Sequence, residues 1–156
     1  MKLIGYIASA VIFSLVIIGL NSLSGNGFVF DFIKNDALTI STTLMGFNIA
    51  VHTILIGQIT DIEIYVDHIG LFKNTRKELK ENALFNVFLL VLIFVLKLLK
   101  VNDNCTICRN ISTGLATYYN FVIDVVIMSA LILIVCLIVE TIKSVYKVYD
   151  FKEKNK

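Results

Sequence analysis

Apolar residues in this chain come in long unbroken blocks separated by short polar stretches. The pattern predicts helices that cross a lipid bilayer. A hydrocarbon core about 30 Å thick takes roughly 20 helical residues at about 1.5 Å each. Residues 3–20 carry no charge, and residues 37–60 contain no Asp, Glu, Lys or Arg. A third block, residues 83–96, reaches spanning length when Lys97 and Lys100 extend their ammonium groups to the interface. The fourth, residues 116–139, is interrupted by one acid, Asp124, and begins near Tyr118 and Tyr119, where an interfacial aromatic belt belongs. The spans therefore fall at about 3–22, 37–60, 83–101 and 116–141, with a link at 61–82 and a tail at 142–156.

Amphipathic stripes of the soluble kind are missing, and 57% of the chain is hydrophobic. One aqueous core could not enclose so many consecutive all-round apolar turns, whereas lipid can. The expected fold is all-α: an integral membrane four-helix bundle. Its second and fourth helices outlast the bilayer and extend into the cytoplasm, the second to Gly70 and the fourth to about Tyr149. Lys2 followed by an apolar core also fits a secretory signal. However, Asn21-Ser22-Leu23-Ser24 makes a poor cleavage site, and a retained span is expected.

Charge sets the orientation. Lys2, Lys73, Arg76, Lys77, Lys80, Lys143, Lys147, Lys152, Lys154 and Lys156 fall on one side, against Lys34, Lys97, Lys100 and Arg109 on the other. The positive-inside rule then puts both termini in the cytoplasm. The abundance of Lys, Asn and Ile suggests an AT-rich bacterial genome, hence an inner membrane. A net charge of +2 gives no reason to expect direct nucleic-acid binding.

The connections add detail. Phe28, Phe30 and Phe32 follow a polar turn and are expected at the outer interface. Thr75 and Glu78 have the spacing of a capping box that would start the third long helix.

Polar residues inside the spans are the candidates for function, because each needs a partner or water. Ser41, Asn48 and His52 are spaced by seven and four and fall within about 40° on a helix. Two readings compete: a pore or proton-sensitive constriction with His52 titrating, or hydrogen-bonded contact between helices. Asp124, with Asn120 one turn before it, could pair with Lys97. That would register two helices or, in an oligomer, form a ring that attracts cations. Ser129, Cys136, Glu140 and Lys147 line up as an expected assembly surface, and Gly46 and Gly57 would admit close packing. Lys73, Arg76, Lys77 and Lys80 are candidates for binding a cytoplasmic protein.

Metal, redox and catalytic signatures are weak. Cys105 and Cys108 form one C-x-x-C without the second pair that structural zinc needs, and a local disulfide is the main alternative to no role. Asp61, Glu63, Asp67 and His68 could be drawn as metal ligands but read more simply as a solvated helix face. No phosphate loop, dinucleotide fingerprint, metalloprotease motif or nucleophile elbow is present. Neither an enzyme nor a cofactor is expected.

The segment Ser41-Thr42-Thr43-Leu44-Met45-Gly46-Phe47, followed by a long helix, a basic link and two further spans, resembles small bacterial four-span proteins of anti-phage defence systems, including the Kiwa-type membrane component. The resemblance implies an oligomeric membrane sensor or effector that works with a cytoplasmic protein. The expected function is therefore an oligomeric inner-membrane sensor or effector that forms a pore or permeabilises the membrane. The alternatives are a non-conducting scaffold that recruits a cytoplasmic partner, and a holin-like lysis protein. No broken-helix pair or inverted repeat favours a transporter.

Overall fold

In the computed structural model, residues 2–25, 27–66, 70–100 and 113–154 are described. They form five helices: α1 (Lys2–Leu23), α2 (Phe28–Asn35), α3 (Ala37–Tyr65), α4 (Lys73–Leu99) and α5 (Thr113–Lys154). Four of them, α1, α3, α4 and α5, are long and apolar enough to cross a membrane. The chain contains no proline to interrupt a helix. Where it must turn, Gly25 (φ 64°) and Gly70 (φ 93°) adopt the left-handed backbone that ends α1 and precedes α4.

The 42-residue α5 is the hub, about 63 Å long at about 1.5 Å per residue. It packs against α1, α3 and α4, and α3 also packs against α4. Its sequence explains this position. Its apolar residues run almost all round, and 56% of its spanning window is buried, against 17–22% in the other three. Cross-helix bonds fix the directions. Tyr6 and Ser14 of α1 meet Glu140 and Ser129 of α5, so those two helices are antiparallel. Lys100 meets Asp124 at one end of α4, and Phe72 meets Phe151 at the other, so α4 is also antiparallel to α5. His52 meets Thr141, with Ile59 and Val148 in one cluster further on, which makes α3 parallel to α5. The start of α1 and the end of α5 therefore lie at one end of the bundle, termed here the terminal end, and α2 lies at the opposite end.

Two apolar clusters hold these helices. The larger joins Ala10 and Ile18 of α1, Leu89 and Ile93 of α4, and Ile127, Ala130 and Ile134 of α5. The smaller, at the terminal end, joins Leu55, Ile59 and Ile62 of α3 to Leu79 of α4 and Val148 of α5. Outside them, Phe13, Leu20, Ile54, Leu84, Phe88, Phe94 and Leu98 are exposed. So much outward apolar surface fits lipid and not water.

Several local expectations change. The Phe-rich segment is a short helix, α2: Ile33 is buried and Phe28 points outward. Its first turn is tied to α1 by Asn21, whose Oδ1 accepts the Val29 backbone N–H at 3.2 Å. Helix α3 ends at Tyr65, short of Gly70. Helix α4 begins at Lys73 with no side-chain cap, so Thr75 and Glu78 do not form the expected box. The segment read as a tail continues α5, and Val145, Val148 and Phe151 pack it onto the bundle. Gly46 and Gly57 make no close approach within the chain, because a Cβ added at either would meet nothing within 4 Å.

Candidate functional site: a polar node inside the bundle

Hydroxyls in the spans are first satisfied by their own helix. Ser41 Oγ donates to the Ala37 carbonyl at 2.6 Å, Thr53 to Ile49, Ser129 to Val125 and Thr141 to Leu137. This back-bonding lets short polar side chains sit in an apolar helix without a neighbour. Longer polar groups cannot reach their own carbonyls and need a partner elsewhere.

That need is sharpest between α3, α4 and α5. Asn48 and Asn86 are each 1% exposed and His52 is 5% exposed. His52 Nε2 lies 3.0 Å from Thr141 Oγ1. The Thr141 hydroxyl proton already points to the Leu137 carbonyl, so its oxygen accepts and His52 donates. This assigns the proton to Nε2 and leaves Nδ1 without a partner among the described residues. The Asn48 and Asn86 amides likewise have no partner for either polar atom among the described residues. Asn86 lies ten residues beyond Arg76, and His52 eleven before Glu63. Because Arg76 and Glu63 are paired, the antiparallel register brings Asn86 and His52 to one level.

The three residues of the expected pore stripe, Ser41, Asn48 and His52, thus face the interior of their own bundle. Asn86 joins them, although sequence reading had passed it over. The signal was present, since Asn86 interrupts an apolar run just as Asn48 does. It went unused because residues 83–96 were read as one apolar block, although Asn82 lies one turn before it on the same helix.

Thr141→Val removes the acceptor of a buried N–H and is expected to lower stability by about 1–3 kcal/mol. Asn48→Leu removes two unpartnered atoms and is expected to leave stability unchanged or raise it. Thermal unfolding of both variants in one detergent checks the pair.

Two ion pairs flank the node. At the α2 end, Lys100 Nζ binds both oxygens of Asp124, at 2.7 and 3.0 Å. The sequence had suggested Lys97 for that pairing. Lys97 lies three residues earlier and is half-buried, while Lys100, the cap residue just past the end of α4, lies level with Asp124. Asn120 is half-buried one turn before the acid.

At the terminal end, Glu63 does two jobs. Its Oε2 pairs with Arg76 at 2.8 Å and its Oε1 accepts the Phe72 backbone N–H at 3.1 Å. Arg76 also reaches Thr60 Oγ1 at 3.1 Å. So one acid of the expected solvated face is buried and closes the α3–α4 turn. Asp61 is exposed, and Asp67 and His68 lie outside the described residues.

No family model, curated protein or solved structure matches this chain.

The remaining candidates divide by location. Arg76 is committed within the chain, whereas Lys73, Lys77 and Lys80 are exposed on the first turns of α4. Lys77 makes only a 3.9 Å contact with Glu81. Of the stripe expected to be an assembly surface, Ser129 is buried, Cys136 and Glu140 are half-buried and Lys147 is exposed. Ser129 bonds Ser14 at 2.6 Å, while Cys136, Glu140 and Lys147 line a cavity between helices. Glu140 accepts from Tyr6 at 2.9 Å and Lys143 at 2.8 Å. Cys105, Cys108 and Arg109 lie outside the described residues. Among the described residues no group of three or more His, Cys, Asp or Glu side chains converges as a metal site.

Proposed function

We propose that the chain is a non-enzymatic sensor or effector of a bacterial inner membrane, oligomeric, and coupled to a second protein on its cytoplasmic side. The observation that carries this is a separation of polar groups. Asn48, His52, Asn86 and Asp124 inside the spans are buried within one chain, while exposed cations gather at the terminal end. Lys73, Lys77 and Lys80 project from the start of α4. The positive-inside rule puts this end in the cytoplasm. The lengths of α3 and α5, 29 and 42 residues, exceed what a 30 Å core takes, which supports helical extensions on that side. The resemblance of residues 41–47 to membrane components of anti-phage defence systems supports the same reading.

A pore remains the second reading, and the partnerless amides of Asn48 and Asn86 favour it. Because the node faces inward, such a path would run through each protomer and not along an axis between copies.

Capture experiments separate the two. Lys73→Glu, Lys77→Glu and Lys80→Glu together are expected to abolish capture of the cytoplasmic partner by the tagged protein, with Arg76 left intact to preserve the fold. Planar-bilayer recordings of the wild type are expected to show no conductance. Currents that change with Asn48→Leu or His52→Leu would instead establish the pore.

A further inference from the structure

A cavity of about 240 Å³ lies between α1, α4 and α5, apart from the polar node. Along α5 it runs from Leu133 to Lys147, about 21 Å at about 1.5 Å per residue. Its chemistry changes along that length. Leu133, Leu137 and Phe85 line the part nearer the middle of the bundle. Glu78, Glu81 and Lys147 line the part nearer the terminal end. An apolar slot leading to ionic groups of both signs is complementary to an amphiphile with a zwitterionic head.

The available groups narrow the head. Glu140 already accepts from Tyr6 and Lys143, so it belongs to the wall. Glu78 and Glu81 are one turn apart on α4 and both exposed. Among the described residues the only ion pair involving either is the 3.9 Å contact of Glu81 with Lys77, between two exposed side chains and so weak. Two acceptor carboxylates suit an ammonium with N–H donors, and Lys147 across the cavity suits a phosphate. The volume falls below the roughly 300–1,000 Å³ of a site for a whole drug-sized ligand, which fits a headgroup and its first methylenes.

We propose that this cavity binds the headgroup of an aminophospholipid, with its ammonium on Glu78 and Glu81 and its phosphate on Lys147. The assignment is independent of the proposed function, since none of its three ionic residues belongs to the node or to the partner-binding lysines.

The test uses the full-length protein, stripped of lipid in detergent, with native mass spectrometry. Phosphatidylethanolamine and phosphatidylcholine of identical acyl chains are offered in competition. They differ in whether the head nitrogen carries N–H donors. The expected preference for the ethanolamine lipid is about tenfold, the scale of one charge-assisted hydrogen bond that choline cannot make. Glu78→Gln with Glu81→Gln is expected to erase that preference at an unchanged melting temperature, since both positions are exposed. Lys147→Gln is expected to weaken both lipids alike. Equal retention of the two lipids by the wild type would overturn the proposal, as would a preference that survives the double Gln variant. Octylammonium distinguishes a lipid from a free amine. If it binds as tightly as the phospholipid, the phosphate plays no part and the lipid assignment fails.

Discussion

Lys100→Met is expected to lower stability by about 3–5 kcal/mol, the range for breaking a buried ion pair from one side. The reason is the carboxylate left behind. The Asp124 side chain is 4% exposed and both its oxygens are bound by Lys100. Without the ammonium, the acid must stay charged among apolar helices, take up a proton or pull the α4–α5 contact apart. Each route destabilises the native state. Lys100→Met combined with Asp124→Leu should recover most of the loss, because two apolar side chains of similar size need no partner. Lys97→Met should have little effect on this pair. Chemical denaturation in mixed micelles would order these variants. If Lys100→Met and Lys97→Met prove equally mild, the pairing is wrong.

Glu63→Ala should have the second largest effect, about 2–4 kcal/mol, because it removes an ion pair and the acceptor of a backbone N–H in one step. Arg76 is partly exposed, so water can solvate the cation left behind, and the loss should fall below that at Lys100. The damage should be local. Phe72 and Arg76 both rely on Glu63, and Phe72 in turn packs edge-on to Phe151 at 5.2 Å. Faster amide exchange confined to the first turns of α4 and the last turns of α5 is the expected signature. Uniformly faster exchange across all four long helices would mean that Glu63 supports the whole bundle and not just this end.

The spans were legible in the sequence because lipid imposes one dominant rule. A charge-free block about 20 residues long has few stable alternatives to a helix. Ser41, Asn48 and His52 were legible as a stripe for the same reason, since the helical period is fixed. Cross-helix information was not. The sequence can set Asp124 opposite a lysine, but choosing Lys100 over Lys97 needs the axial offset of α4 against α5, and one turn of helix decides it. Glu63 was misread because its neighbours Asp61 and Asp67 suggested a solvated face. Its burial depends on where the chain returns after Gly70. That Glu140 meets Tyr6 was not legible either, because nothing in α5 alone indicates that α1 and α4 flank that face.

The most direct test of the account is thiol accessibility within the spans. In a background with Cys105, Cys108 and Cys136 replaced by serine, single Ser41→Cys, Asn48→Cys and Lys77→Cys variants are treated in membranes with a charged, membrane-impermeant thiol reagent, applied from each side in turn. Rapid labelling is expected at position 77 from one side, and none at positions 41 and 48 from either, because those side chains are buried within the bundle. Labelling at 41 and 48 from either side would show a water-filled path through the bundle and would contradict the enclosed node.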